Sequence, residues 1–187
     1  MLMSEGFSRV VEGERINLRP LRIEDVTDAY CRWMNDPVTN QFLESRFFQH
    51  SRESLKEYVR SKSGDTSYAF FAVILKDGGR HIGNIKLGPI DSVHRLGDIG
   101  ILMGEKDCWG KGYATEAIRL IVRYAFNVLD LHKVTAGCYA PNEGAIKAFM
   151  RAGFSKEGVR KEHCYYNGSF VDDVLLGLVR PVGNNHR

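Results

Sequence analysis

Between Gly112 and Leu129 the chain carries one unbroken apolar stripe: Ala114, Ala117, Ile118, Ile121, Val122, Ala125, Phe126 and Leu129. The spacing is that of an α-helix. Directly ahead of it stands Trp109-Gly110-Lys111-Gly112. A helix this apolar must bury one side against another layer, and the glycines turn the chain tightly at its start. Helix N-termini leave N–H donors unpaired and carry partial positive charge, and glycine has no Cβ to hold a ligand away from them. The combination predicts a phosphate-binding turn, with Lys111 adding charge. A GxxxxGK loop ending in Ser or Thr is absent, and Thr115 stands where a dinucleotide fingerprint needs a third small residue. A tight strand-to-helix turn that holds nothing is the competing reading.

Around this helix the pattern alternates between strands and helices. Arg15 to Leu21 reads as a first strand, Glu24 to Trp33 as a helix stopped by Asn35-Asp36-Pro37, and Ser51 to Ser61 as a second helix. Tyr68 to Leu75 is almost continuously apolar and reads as a central strand. Strands follow at His81 to Leu87 and Arg95 to Met103. After the long helix come a strand at Lys133 to Tyr139 and a helix at Asn142 to Arg151, ended by Gly153. Phe154 to Tyr166 and Phe170 to Val179 read as strands joined through Asn167-Gly168, a two-residue hairpin signal. The order is α/β with a mixed sheet, not the regular alternation of a doubly wound fold.

With 187 residues, no repeat and no low-complexity linker, a single domain over 1–187 is expected. A net charge of +3 is too mild for a nucleic-acid surface and suits a small anionic ligand. Cys31, Cys108, Cys138 and Cys164 are scattered, without metal-ligand spacing to each other or to His50, His81, His94, His132 and His186. No metal site is expected, and the cysteines read as buried thiols of a reducing cytosol. The charged, glycine-broken N-terminus lacks a signal-peptide pattern, and no segment is apolar enough to span a bilayer. A cytoplasmic protein without membrane contact is expected; homodimerisation stays open.

Several segments carry a resemblance at once: INLRPL, WMNDPVTNQFLESRF, IGNI, WGKGYATEAI, APNEGAIKAFMRAGFSKEG and YYNGSFVDDVLLGLV. In order and spacing the chain resembles the GCN5-related N-acetyltransferase (GNAT) family, in its RimJ/RimL-type branch. The resemblance implies a mixed β-sheet flanked by helices, with a splayed central strand pair that takes the pantetheine of acetyl-CoA. Trp109, Gly110, Lys111, Gly112, Tyr113 and Ala114 occupy the family's six-residue pyrophosphate motif, and Thr115 continues that set of candidate contacts. Asn142 matches the asparagine that opens the next helix and contacts the coenzyme arm. Lys147 and Arg151 follow on that helix, as partners of the adenosine phosphates or as solvated charges. One departure matters. Many relatives carry a tyrosine, acid for the leaving thiolate, where this chain has Phe149, which has no proton to give. A thiol of pKa ~8.5 already leaves tolerably without one.

Attack of an amine on a thioester needs a neutral amine, a polarised carbonyl and both held together. Leu102, Met103 and Gly104, just before the turn, are the candidate oxyanion donors through their N–H groups. Asp98 and His163 are the candidate bases, and Asp172 and Asp173 candidate substrate contacts. An α-amine of pKa ~8 is roughly one-tenth neutral at pH 7, whereas a lysine at ~10.4 is almost wholly cationic. A site without a strong base therefore favours a protein N-terminus or an amino sugar over lysine, and FLESRF and ILMGEKDCWGKG resemble relatives that acetylate nucleotide-linked amino sugars. A sugar nucleotide predicts a closed pocket using Trp33, Phe42, Arg46, Tyr165 and Tyr166; a peptide predicts an open groove beside the closing hairpin. A non-catalytic acyl-CoA-binding sensor or interaction module is the alternative to an enzyme.

Overall fold

The computed structural model describes residues 9–181. Among these, eight strands and four α-helices are formed: β1 (Val11–Glu12), β2 (Ile16–Pro20), α1 (Asp28–Asn35), α2 (Arg52–Lys62), β3 (Ala69–Leu75), β4 (His81–Asp91), β5 (Leu96–Met103), α3 (Tyr113–Asn127), β6 (Lys133–Tyr139), α4 (Glu143–Arg151), β7 (Ser155–Tyr166) and β8 (Ser169–Val179). The strands join in one mixed sheet of order β1-β2-β3-β4-β5-β6-β8-β7. All contacts are antiparallel except β5–β6, which is parallel. No described helix is long and apolar enough to cross a membrane.

Each face of the sheet has its own core. Ala117, Ile118, Ile121, Tyr124 and Ala125 of α3, with Ala148 and Phe149 of α4, pack on Val73, Ile85, Ile99, Val134 and Leu176. The stripe that predicted α3 is thus the side that is buried, each large side chain contributing about 1.5–3 kcal/mol. Tyr30, Trp33 and Met34 of α1 and Leu55 and Val59 of α2 cover the other face, against Ala72. That second layer also takes in Phe70, Ile74 and Leu102, so its contacts lie on the β3–β5 side of the sheet.

The first expected helix is displaced. Asp25 bonds the Arg22 N–H at 2.7 Å and pairs with the Arg19 guanidinium, closing a single 3-10 turn at Ile23–Asp25. The helix proper starts anew at Asp28, capped by the Thr27 hydroxyl, and runs on to Asn35. A capping residue inside an apolar-periodic stretch outranks the period. Strand β1 is too short to give an alternating signal. The closing turn forms as expected, with Asn167 and Gly168 both at positive φ (48° and 84°).

One side chain ties the first strands to α3. Glu116 Oε1 accepts the N–H groups of Glu14, Arg15 and Ile16 at 2.9, 2.8 and 3.2 Å, and Oε2 takes Arg15 Nε at 3.0 Å. Burial alone would raise the Glu116 carboxyl, but the N–H donors and the Arg15 charge bring it below its ordinary value. Its stabilisation is therefore present above the unfolded value of about 4.3 and is lost as the pH falls through the lower folded one. Glu116→Ala is expected to cost about 2 kcal/mol in urea unfolding at pH 7. Glu116→Gln should flatten the fall in stability below pH ~4.3. A variant that unfolds like the parent at both pH values would show that this carboxylate holds nothing.

Candidate active site

The glycine turn ahead of α3 forms where the sequence places it. A 3-10 turn at Lys106–Cys108 delivers Trp109, whose indole N–H bonds the Met103 carbonyl at 2.8 Å. Gly110 (φ 73°) and Gly112 (φ 84°) take the left-handed conformation that admits glycine most easily, and Gly112 opens α3 with no side-chain cap. The N–H groups of Tyr113, Ala114 and Thr115 have no acceptor among the described residues. A Cβ on Gly110 would meet nothing within 4 Å, and one on Gly112 only the tip of Arg15 at 3.4 Å. The space above the donors is open. Arg15 braces the turn, bonding the Lys111 carbonyl at 2.9 Å and lying 4.7 Å from the Tyr113 ring centre.

A cavity of about 360 Å³ adjoins this turn, lined by Glu14, Arg15, Gly112, Thr115, Glu116, Arg119 and Arg151. Its cations are Arg15, Arg119 and Arg151. Arg119 is fixed by a 2.7 Å bond to the Arg151 carbonyl. Lys147 pairs with Glu143 at 2.7 Å on the exposed side of α4, the usual i,i+4 partnership, outside this lining. Arg119 was not singled out in the sequence, although its place one helical turn after Thr115 is a local signal; Arg15 is far away in sequence and gave none. Asn142 caps α4 through Oδ1 to the Ala145 N–H at 3.2 Å.

Strands β5 and β6 pair only at Leu96↔Lys133, Gly97↔Val134 and Asp98↔Thr135. Beyond that they part, because β5 stays on β4 as far as Met103↔Gly83 and β6 stays on β8 as far as Tyr139↔Asp173. This corrects part of the oxyanion assignment. The Gly104 N–H donates to Ile82 O at 2.9 Å. Alternation along an antiparallel ladder then turns Leu102 towards Asn84 as well, and leaves Ile101 and Met103 facing the gap. Of the three candidate amides only Met103 addresses the opening; Ile101 joins it. Gly104 instead gives room for the Trp33 ring, which a Cβ would strike. Phe149 is 2% exposed and packs edge-on to Phe154, 5.1 Å between centres.

Asp98 stands where the strands begin to part. Thr135 Oγ1 donates to Asp98 Oδ1 at 2.7 Å. Although Asp98 keeps accessible surface, crowding desolvates its carboxylate and raises it above its ordinary value; Asp173 also raises it, while the Thr135 bond, Lys86 and Arg160 oppose the shift. A carboxyl moved towards neutrality suits a base better than an ordinary surface carboxylate. His163 is not beside it. It lies exposed on a bulge of β7, where the pairing slips between Arg160 and Cys164, at the rim of a second cavity.

That cavity, about 460 Å³, is lined by Glu44, Ser45, Phe47, Phe48, Tyr139, His163, Cys164 and Tyr165, and lies open between the α1–α2 connection and β7. Trp33 is a core residue, as is fitting for its apolar helix face. Phe42 stacks on Tyr166 at 5.2 Å. Arg46 is committed, donating to the carbonyls of Leu43 and Tyr165 and to Tyr139 Oη at 3.1 Å. Of the residues expected to build a closed sugar-nucleotide pocket, only Tyr165 lines the trough. Among the described residues no group of three or more His, Cys, Asp or Glu is placed to hold a metal ion; His186 lies outside them.

Helix-first phosphate donors, a parted parallel strand pair and an acid at the parting define an acyl-transfer fold. The chain belongs to the GNAT acetyltransferases: residues 15–155 match the Acetyltransferase (GNAT) domain. It is 30% identical over 179 residues to the probable N-acetyltransferase YjcK of Bacillus subtilis (strain 168), covering 92% of this chain and 98% of that one. It is 30% identical to the spermidine N(1)-acetyltransferase of Escherichia coli (strain K12), covering 86% and 84%. In structure it is similar to Mycobacterium smegmatis RimJ in complex with CoA-disulfide, with a TM-score of 0.80 at 20% identity over 93% of this chain and 88% of that one. The protein is an N-acetyltransferase.

The Thr135 hydroxyl holds the Asp98 carboxylate in its charged form. Thr135→Val keeps the shape and removes the donor, so the Asp98 titration midpoint should rise, as read by carbon NMR of labelled aspartate carboxyls. A midpoint that stays in place would mean the hydroxyl bond is not made in solution.

Proposed function

We propose that the protein transfers the acetyl group of acetyl-CoA to a primary amine that arrives as a cation, a peptide N-terminus before others. The observation that carries this reading is the parting of β5 from β6 between an anion-ready helix start and an acidic, aromatic trough. In it the pyrophosphate rests on the N–H groups of Tyr113, Ala114 and Thr115, beside Gly110 and Gly112. Lys111, Arg119 and Arg151 supply positive charge for the remaining phosphates, and the Asn142 amide is left for the coenzyme arm. The pantetheine replaces the missing strand partner, and the Ile101 or Met103 N–H polarises the thioester carbonyl. Asp98 takes a proton from the amine, directly or through water.

The trough lining holds Glu44 and four aromatic rings but neither Lys nor Arg. Aromatic faces and a carboxylate attract an ammonium, and His163 is the one residue of that lining able to carry positive charge towards the diphosphate of a nucleotide-linked sugar. An open trough also admits a chain end. Its acidity, with the 30% identity to a spermidine acetyltransferase, supports a polyamine as the second reading.

Thiol release from acetyl-CoA, followed with peptides, spermidine and a nucleotide-linked amino sugar, should give the highest kcat/KM with a peptide α-amine. Faster turnover of the sugar nucleotide would overturn the charge argument. Gly112→Trp puts a side chain into the open space above the donors, and should weaken coenzyme A binding roughly 100-fold or more by calorimetry. Unchanged affinity in the folded variant would remove the turn from the site.

A further inference from the structure

Asp172 and Asp173 are adjacent in sequence and opposite in role. Asp172 faces the sheet edge, bonded to Lys161 at 2.8 Å and to the Glu162 N–H at 3.0 Å. Asp173 points the other way and is 5% exposed. Among the described residues its one hydrogen-bonding partner is Arg160, at a long 3.4 Å. A carboxylate buried to this degree is costly unless it is paired and well bonded. Gly137 makes the position available: a Cβ there would stand 3.2 Å from Asp173 Oδ1, so the carboxylate lies flat over β6.

The placement on β6 gives the site an order. Val134, Ala136 and Cys138 face the α3 core, so Thr135, Gly137 and Tyr139 share the opposite face. Tyr139 walls the acceptor trough, Gly137 lies under Asp173, and Thr135 holds Asp98. Each step is two residues, about 7 Å. Asp98, held by Thr135, and Asp173, lying over Gly137, therefore follow one another from the trough on one face of the sheet, near enough that the charge of Asp173 acts on Asp98. The Cys138 thiol, on the core side of the same stretch, is pushed up to about 12 by burial and then by the charges of Asp173 and Asp98.

We propose that Asp173 is the acceptor-binding carboxylate, holding the substrate ammonium between itself and Asp98 while Asp98 removes a proton. This rests on the reading of Asp98 as base given above. The ammonium gives one proton to Asp98, and the freed nitrogen lone pair forms the C–N bond as the C–S bond breaks. The remaining surplus nitrogen proton goes to the departing thiolate, giving free thiol, and Asp98 returns its proton to water. Arg160 on β7 neutralises Asp173 while no acceptor is bound. The groups that act on Asp98 are Lys86 on β4, Arg160 on β7, Thr135 on β6 and Asp173 on β8, with the Cys138 thiol on the opposite face of β6.

Asp173→Asn is the direct test, with Arg160→Gln, at an exposed edge-strand residue, as its counterpart. Asp173→Asn should raise KM for the amine at least tenfold, leave coenzyme A affinity within twofold, and move the Asp98 carboxyl midpoint down, since a like charge is lost. Arg160→Gln should move that midpoint up, since an opposing cation is lost. A folded Asp173→Asn with the parent KM and an unlowered Asp98 midpoint overturns the proposal. If that variant does not fold, an Asp98 midpoint unmoved by Arg160→Gln overturns it equally. A parent protein inert towards every amine, yet binding coenzyme A, sinks the reading of Asp98 as base. The NMR midpoints would still decide whether Asp173 acts on Asp98.

Discussion

A parallel strand pair that stops pairing leaves backbone N–H and C=O groups with no partner, and such groups inside a protein demand one. Here the demand is built in. Strand β5 is held by β4 through Met103 and β6 by β8 through Tyr139, so neither can move to close the gap without losing an antiparallel ladder. The opening is therefore the consequence of two firm pairings, not of a weak one. Everything that makes the site usable is arranged around it: the helix start of α3 beyond one strand, α4 beyond the other, and Asp98 at the closed end.

The N-terminal strands serve the same opening from a distance. Glu116, one turn into α3, gathers the N–H groups of residues 14 to 16, and Arg15 returns a bond to Lys111 and lies over Tyr113. The phosphate-ready turn is thus gripped from outside while its own donors stay free. A capped helix would have satisfied those donors internally. Gly112, with no side chain to cap and a positive φ, leaves them for a ligand.

What the sequence made legible is what local chemistry decides. The α3 stripe, the Gly110 and Gly112 turn and the Asn167-Gly168 hairpin each depend on residues within a few positions, and each is where the pattern puts it. The start of α1 was misplaced because Asp25 closes a turn with Arg22 and an ion pair with Arg19, after which Thr27 begins a new helix. Arg15 could not be seen, since it reaches the turn only through the folded β2–α3 contact. Gly104 was misjudged because its N–H direction follows from the register with β4, a pairing with residues some twenty positions earlier. Asp172 and Asp173 were indistinguishable until strand parity separated them.

Charge is the quantity that composition hides most completely. A net +3 describes neither half of the site. Arg15, Arg119 and Arg151 gather at the α3 start, where a polyanion would rest, and Arg46 is withheld from the other side by two carbonyls and a tyrosine hydroxyl. On that side stand Glu44, Asp173 and Asp98. The arginines thus lie at the α3 start, and the three carboxylates stand across the strand opening, with Lys86 and Arg160 near Asp98. In the proposed reaction the arginines meet the anionic donor and the carboxylates the cationic acceptor, which orients both reactants before close contact forms. On the proposal that Asp98 is the base, the amine sheds its proton there, where burial and the neighbouring Asp173 have raised that carboxyl towards accepting it.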